Sequence, residues 1–156
     1  MGKLFGALLL ILVGIVLAGI AIARIKAQLA TTDAWLDLIY LIRTEIDCYL
    51  RPIGDILAGA DEDLLRRAGG GSSADTLAEL LSGATPHLSD ESVQLLESFV
   101  RELGTSYRAE QVKRCDYYIA SLRKIRETLA ASLPSRTKLY SALCICGALG
   151  AVILLW

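Results

Sequence analysis

A run of twenty uncharged, mostly apolar residues from Leu4 to Ala23 organises the chain. A helix of that length rises roughly 30 Å, about the thickness of the hydrocarbon core of a bilayer. Its aliphatic and aromatic residues together favour membrane insertion by roughly 5 kcal/mol. Lys3 and Arg24 mark the two ends of the run. The pattern predicts a transmembrane anchor over residues 1–24.

A cleavable signal peptide is the alternative interpretation of this run. Ala21 and Ala23 satisfy a small-x-small cleavage pattern, and Lys3 would supply the basic region. The apolar run is, however, longer than the roughly 7–15 residues that such a region normally has. Length therefore favours a retained anchor.

A second uncharged run covers the eighteen residues from Leu139 to Trp156. As a helix it would rise about 27 Å. Arg136 and Lys138 precede it, and a terminal tryptophan suits a membrane interface. A buried core helix is the alternative. The run predicts a C-terminal transmembrane helix over residues 139–156, which leaves residues 25–138 as the central domain.

Apolar residues of the central region recur at spacings of three and four, which is typical of amphipathic helices. The stripes are Trp35, Leu38, Ile39, Ile42, Ile46, Tyr49 and Ile53, then Val93, Leu96, Phe99, Val100 and Leu103, then Val112, Cys115, Ile119, Leu122, Ile125 or Arg126, Leu129 and Leu133. No stretch alternates with period two, so no sheet is expected. The predicted fold is all-α, an antiparallel helical bundle between the N- and C-terminal transmembrane helices.

Prolines, glycines and capping residues predict where these helices begin and end. Pro52 should break or kink the first long helix, and Pro134 should mark a boundary near the end of the last one. Gly104 should end the helix before the last. The Gly69–Ser73 stretch predicts a flexible break, followed by a helix capped by Ser73 or Asp75.

Positive charges next to the two apolar runs predict the orientation of the chain. Seven basic residues flank the central region, whereas Lys3 and the amino terminus lie outside it: Arg24, Lys26, Arg123, Lys124, Arg126, Arg136 and Lys138. Lysine and arginine near membrane spans favour the cytoplasmic side. We therefore expect a protein of the cell membrane with two spans and a cytoplasmic central domain.

The charges of the central region are unevenly distributed along the chain. Residues 31–97 hold 13 acidic and 4 basic side chains, and residues 98–138 hold 4 acidic and 9 basic ones. This asymmetry predicts electrostatic pairing between the two halves, or an acidic face that receives a basic partner. Ordinary solvated helix faces are the simpler alternative. Nucleic acid is not an expected partner, because the basic segment is small and carries no recognition motif.

The sequence contains no recognisable constellation for catalysis or metal binding. His87 is the single histidine, and neither it nor the four cysteines show metal-ligand spacing. Cys144 and Cys146 suit packing in a membrane helix, while Cys48 and Cys115 are expected in the core and reduced. The expected protein is not an enzyme and binds no cofactor or metal.

Small residues recur at four-residue spacing in both apolar runs. Gly14 and Ala18 form one such pair and Gly147 and Ala151 another. Small-x-x-x-small pairs let membrane helices approach closely. They would join the two spans to each other, to another membrane protein, or to a second copy of the chain.

Several segments resemble stage III sporulation protein AB of endospore-forming bacteria. Glu45-Ile46 followed by Pro52-Ile53 is similar to that family's E-I-x-Y-x-x-T-P-L segment, with Tyr49 one place later than usual and Arg51 in place of the threonine. Phe99 to Gln111 is the strongest match, with Gly104 seven residues before the glutamine. Lys138-Leu139-Tyr140 entering the closing apolar tail also fits.

The resemblance implies a component of the mother cell–forespore channel complex. Members are similar in fold to the cytosolic domains of the platform protein of type II secretion and type IV pilus systems. The implied partners are a secretion-type cytosolic ATPase and other sporulation channel membrane proteins. The implied role is a non-catalytic adaptor, and the alternative is a purely structural oligomerising scaffold. The matched positions are the candidate protein-interaction residues: Glu45, Tyr49, Pro52, Gly104 and Gln111.

Overall fold

The computed structural model describes residues 2–49, 51–70, 76–105 and 107–155. Within these ranges the chain forms six α-helices and a short 3-10 helix over Thr85–His87, with no strand. The prediction of an all-α fold is confirmed. The helices are α1 (Gly2–Tyr49), α2 (Ile53–Ala58), α3 (Glu62–Arg67), α4 (Leu77–Ala84), α5 (Asp90–Glu102) and α6 (Arg108–Leu155).

The chain divides into two units. One consists of Met1–Lys26 with Leu129–Trp156, and the other is Ala27–Thr128. The second unit corresponds closely to the predicted central domain, residues 25–138, although the exact domain boundaries stay predictions.

In the first unit, the N-terminal part of α1 has an apolar and largely exposed surface. In the part of the chain that the structure describes, one helical stretch, Leu12–Tyr49, is long and apolar enough to cross a membrane, and 11% of its most apolar window is buried. The side chains of Leu12, Ile15 and Leu17 are all exposed. The backbone of the predicted second span continues α6 as far as Leu155, but most of its side chains lie outside the described part.

In the second unit, one face each of α1 and α6 encloses the core. Trp35, Ile39 and Ile42 of α1 are fully buried, as the helical stripe predicts. The ring of Phe99 in α5 packs edge-on against Tyr118 of α6, with ring centroids 5.2 Å apart. Other fully or almost fully buried members are Leu38, Leu80, Leu96, Cys115, Ile119 and Leu122.

Ion pairs within this unit show that α1 and α6 run antiparallel. Nε of Arg126 lies 2.7 Å from Oδ1 of Asp33, and Nε of Arg43 lies 2.5 Å from Oδ1 of Asp116. From the first pair to the second, the α1 partner lies ten residues later in the chain and the α6 partner lies ten residues earlier. The two helices therefore run in opposite directions. The Arg126–Asp33 pair joins the basic half of the sequence to the acidic half, in agreement with the predicted pairing between the halves.

Pro52 ends α1, as predicted. The helix stops at Tyr49, and Pro52 takes the N-cap position of α2 with an extended backbone, φ −60° and ψ 147°. Its carbonyl oxygen accepts hydrogen bonds from the backbone N–H groups of Asp55 and Ile56 at 3.1 and 3.2 Å. The same proline therefore terminates one helix and begins the next.

The predicted boundary at Pro134 is wrong, because α6 continues through this residue. A proline inside a helix removes one backbone hydrogen bond and costs about 3 kcal/mol. A helix of 48 residues retains its other hydrogen bonds on both sides of that position. One missing bond therefore does not end it.

The short helices are joined at a close approach between two glycines. Gly69 has a left-handed backbone, φ +108°, and a Cβ added at Gly83 would lie only 2.0 Å from the Gly69 carbonyl oxygen. The predicted caps Ser73 and Asp75 lie outside the described residues. Thr76 caps α4 instead, since its hydroxyl accepts a hydrogen bond from the Glu79 backbone N–H at 3.2 Å.

Candidate protein-interaction site

The end of α1, the start of α2 and the turn between α5 and α6 enclose a cleft of ≈ 410 Å³. Three of the five predicted interaction residues line it: Pro52, Gly104 and Gln111. Gly104 and Gln111 come from the other end of the domain sequence and meet Pro52 because α1 and α6 run antiparallel. The described residues that line it are Ile46, Arg51, Pro52, Ile53, Gly104, Arg108 and Gln111.

Gly104 shapes the wall of the cleft through its backbone conformation. Its φ is +86°, a left-handed value that favours glycine, and it lies just after the C-cap Leu103. A Cβ at this position would be 3.6 Å from Cδ1 of Ile53, which is an ordinary contact distance. The turn into α6 therefore depends on the glycine φ and lies directly beside the first residue of α2.

The other two predicted residues, Glu45 and Tyr49, adjoin the cleft through Arg51. Nη1 of Arg51 lies 3.7 Å from Oε2 of Glu45, a buried oxygen with no hydrogen-bond partner among the described residues. The Arg51 guanidinium carbon also lies 5.7 Å from the centroid of the Tyr49 ring. Arg51 thus connects both predicted residues to the lining of the cleft.

Arg108 also lines the cleft and is held by Asp47. Its Nη2 donates to the backbone carbonyl of Asp47 and lies 3.2 Å from the Asp47 carboxylate oxygen Oδ1. Neither Arg51 nor Arg108 is among the predicted interaction residues. The other two ion pairs align Asp47 with position 112 of α6, so Arg108 lies one turn away and reaches Asp47 through its long side chain. No spacing in the sequence indicated this contact.

Exposed tyrosines accompany the two arginines at this end of the domain. Tyr49 belongs to the apolar stripe of α1 by its spacing, but it is 66% exposed and lies outside the core. Tyr107, immediately before Arg108, is 91% exposed. Tyrosine and arginine are enriched among the residues that dominate protein–protein binding energy. The residue types around the cleft are therefore those of a protein-interaction surface.

A second cleft of ≈ 440 Å³ lies between α5 and α6 and contains none of the predicted residues. Arg114 lies 3.3 Å from Glu102 and 3.6 Å from Glu110, so its charge is matched within the domain. Burial raises the pKa of Tyr118 to about 12, and a hydrogen bond to Glu102 adds to the shift. The phenol therefore stays protonated at neutral pH.

The remaining chemical groups do not assemble into a reactive cluster in the described part of the chain. No three His, Cys, Asp or Glu side chains lie there in an arrangement that would hold a metal ion. Burial raises the pKa of the Cys115 thiol to about 11, which suppresses its reactivity. Cys48 is exposed, so the expectation that it belongs to the core is wrong. His87 is exposed in the 3-10 helix.

The predicted membrane-packing residues fall in the first unit. Ala18 is buried, whereas Gly14 is exposed and a Cβ added there would meet no described atom within 4 Å. Gly147 and Ala151 lie in α6, but their side-chain surroundings are outside the described residues. A role of these four residues in helix packing stays a prediction.

Comparison with known proteins agrees with the resemblance seen in the sequence. The family model described as stage III sporulation protein AB matches residues 60–156. No curated protein and no solved structure matches the chain. Gly104 and Gln111 fall inside the matched range, while Glu45, Tyr49 and Pro52 precede it. With well over half of its length matched, the chain belongs to the stage III sporulation protein AB family.

Proposed function

We propose that this sporulation protein is a non-catalytic membrane adaptor of the mother cell–forespore channel complex. In this proposal the unit Ala27–Thr128 docks a cytosolic secretion-type ATPase, as the resemblance to secretion platform proteins implies. Family membership supports a role in stage III of sporulation. The adaptor role goes beyond the family match and rests on the surface of the domain.

The observation that carries the proposal is the convergence of the five predicted residues. They are separated by up to 66 positions in the sequence, yet three line one cleft and two touch its Arg51 wall. If the five residues had unrelated roles, we would expect them to lie on different faces of the domain. The described residues of the lining have apolar, glycine, arginine and amide side chains, and among them there is no set of groups that would perform acid–base or nucleophilic chemistry.

The proposed membrane topology has two spans with the central domain in the cytoplasm. The exposed apolar surface of α1 supports the first span. The uncharged run of residues 139–156 supports the second, and the basic residues that flank the central region support the orientation. Cys48 provides a direct test because its side chain is exposed. A membrane-impermeant maleimide should label Cys48 in lysed cells and leave it unlabelled in intact protoplasts.

Binding of the full chain to the purified ATPase tests the adaptor role. The chain is reconstituted in lipid nanodiscs, and the dissociation constant is measured for wild type, Tyr49→Ala and Tyr117→Ala. The two tyrosines are similarly exposed, at 66% and 63%, but Tyr117 lines the second cleft. We expect Tyr49→Ala to weaken binding by about tenfold or more, as for a hot-spot tyrosine, and Tyr117→Ala to have little effect.

Two results would contradict this adaptor role. One is the absence of any ATPase binding by the reconstituted wild-type chain. The other is an equal loss of affinity in both tyrosine variants, which would indicate a general effect of removing surface tyrosines rather than a docking site at the cleft.

A structural scaffold that oligomerises through its membrane helix is the second candidate function. It is favoured by the open position at Gly14, where an added Cβ meets no atom of the described residues within 4 Å. In this case Gly14→Leu should dissociate an oligomer of the detergent-solubilised protein, while Gly6→Leu, at another open glycine of α1, serves as the control. An oligomer that survives Gly14→Leu would argue against the scaffold.

A further inference from the structure

The cleft combines an apolar floor with two cationic walls. Ile46, Pro52 and Ile53 supply the apolar side chains, and Arg51 and Arg108 supply the charges. The volume of ≈ 410 Å³ is within the roughly 300–1,000 Å³ of sites that enclose small molecules. Such a volume accommodates a few side chains of a peptide rather than a whole helix.

Both arginines retain hydrogen-bonding capacity toward an incoming group. A guanidinium carries five N–H donors in a planar fork. Among the described residues, Arg51 is engaged by Glu45 at 3.7 Å and by the face of Tyr49, neither of which is a close hydrogen bond. Asp47 engages the Nη2 end of Arg108. Glu45 and Asp47 thus orient Arg51 and Arg108, and neither carboxylate uses all the N–H donors of its arginine.

We propose that the cleft binds a partner segment in which an aspartate or glutamate lies next to a leucine or isoleucine. The carboxylate lies between Arg51 and Arg108 and accepts hydrogen bonds from their guanidinium groups. The aliphatic side chain packs on Ile53 and Pro52, and Tyr49 covers the rim. This inference rests on the proposed function, because it specifies the part of the ATPase that docks.

Charge complementarity selects this occupant over the alternatives. A basic segment would place its charge against two guanidinium groups, and like charges across an interface cost several kcal/mol. A purely apolar segment would cover the arginines without pairing them, which leaves their desolvation uncompensated. An acidic residue pairs with the two arginines, and the aliphatic residue beside it packs on the apolar side chains of the cleft.

Overlapping peptides that tile the ATPase sequence are the probe for this site. They are titrated against the full chain in nanodiscs, together with matched peptides in which every Asp and Glu is replaced by Asn or Gln. We expect binding only by tiles that contain an acidic residue next to Leu or Ile. Neutralising the acidic residue should weaken binding by about tenfold or more.

Substitutions of the two arginines test whether peptide binding depends on them. Arg51→Glu and Arg108→Gln should each lose tenfold or more in affinity, about the loss seen when one partner of a charge pair is removed. Lys124→Glu is the matched control, since it reverses an exposed charge on α6 about 24 Å from Arg108. A tile carrying Lys in place of its acidic residue should regain affinity for Arg51→Glu, which shows that the variant is folded.

The outcomes separate this inference from the proposed function. If the whole ATPase binds but no acidic–aliphatic tile does, or if neither arginine variant affects the tiles, the inference is overturned and the adaptor role stands. If the ATPase and its tiles all fail to bind, tiles from the other proteins of the sporulation channel are tested. Arginine-dependent binding of an acidic–aliphatic tile from that set supports the inference without the ATPase, and its absence overturns the inference.

Discussion

Replacing Gly83 with alanine would test how closely the short helices of the domain are packed. Gly83 lies in α4, and a Cβ added there would be 2.0 Å from the carbonyl oxygen of Gly69. Ordinary van der Waals contact begins at about 3.4 Å. The obstacle is backbone, so no rotamer change can relieve the overlap. Gly69 in turn has a left-handed φ and lies against Ala84, which restricts its retreat.

The expected magnitude follows from two opposing contributions. Overpacking a well-packed site typically costs about 1–3 kcal/mol, and a backbone obstacle places Gly83→Ala at the upper end of that range. Alanine in place of glycine within a helix returns about 1 kcal/mol. We therefore expect the free energy of unfolding to fall by about 2 kcal/mol. Gly54→Ala is the matched control: Gly54 also lies in a helix, α2, but an added Cβ meets nothing within 4 Å.

Urea unfolding of the full chain in detergent measures both variants. Trp35 is fully buried in the core and serves as the fluorescent probe, in a Trp156→Phe background that removes the other tryptophan. Gly54→Ala should raise stability by up to about 1 kcal/mol, so the two variants should differ by about 3 kcal/mol. Equal stabilisation by both substitutions would refute the close approach of Gly83 to Gly69.

The same unfolding assay tests three further predictions. Gly104→Ala should cost about 1–2 kcal/mol from its left-handed φ alone, because Ile53 leaves room for a methyl group; a loss above 4 kcal/mol would contradict this. Phe99→Ala should cost about 3–5 kcal/mol, since the ring is buried against Tyr118; a loss below 1 kcal/mol would place Phe99 outside the core. The contribution of Cys115 to stability should be constant below pH 9 and be lost as pH rises from 9 toward 11, because the unfolded thiol ionises near 9.0 and the folded one near 11. Cys115→Ala should remove that contribution, and an unchanged slope would refute it.

The helical stripes were predictable because burial and periodicity have the same physical origin. Trp35, Ile39 and Ile42 lie on one face of α1 at the helical repeat, and all three are fully buried. Tyr49 continues the same stripe but is exposed. The reason is tertiary, since α6 begins at Arg108 and contacts the last turn of α1 at Asp47, while the ring of Tyr49 faces Arg51.

The walls of the cleft were not predictable from spacing, because they depend on the register between α1 and α6. Arg108 becomes a site residue only when the chain folds back and places it within reach of Asp47. Arg51 was visible only as a departure from the family pattern. In the structure it is the side chain that joins Glu45 and Tyr49 to the cleft. The register between α1 and α6 is set by their packing, whereas the spacing of apolar residues is a property of each helix alone. The spacing therefore does not show which residues of the two helices meet.

The helix-ending roles of Pro52 and Gly104 and their proposed roles in protein binding therefore depend on the same geometry. Ending α1 at Pro52 and reversing the chain at Gly104 leaves the space that becomes the cleft. A substitution at either residue alters the fold and the surface together, so loss of binding there would be ambiguous. Tyr49 is different, because it is largely exposed and its ring contacts Arg51 rather than the core. Its removal should change binding without changing stability, which makes Tyr49 the decisive residue for the adaptor proposal.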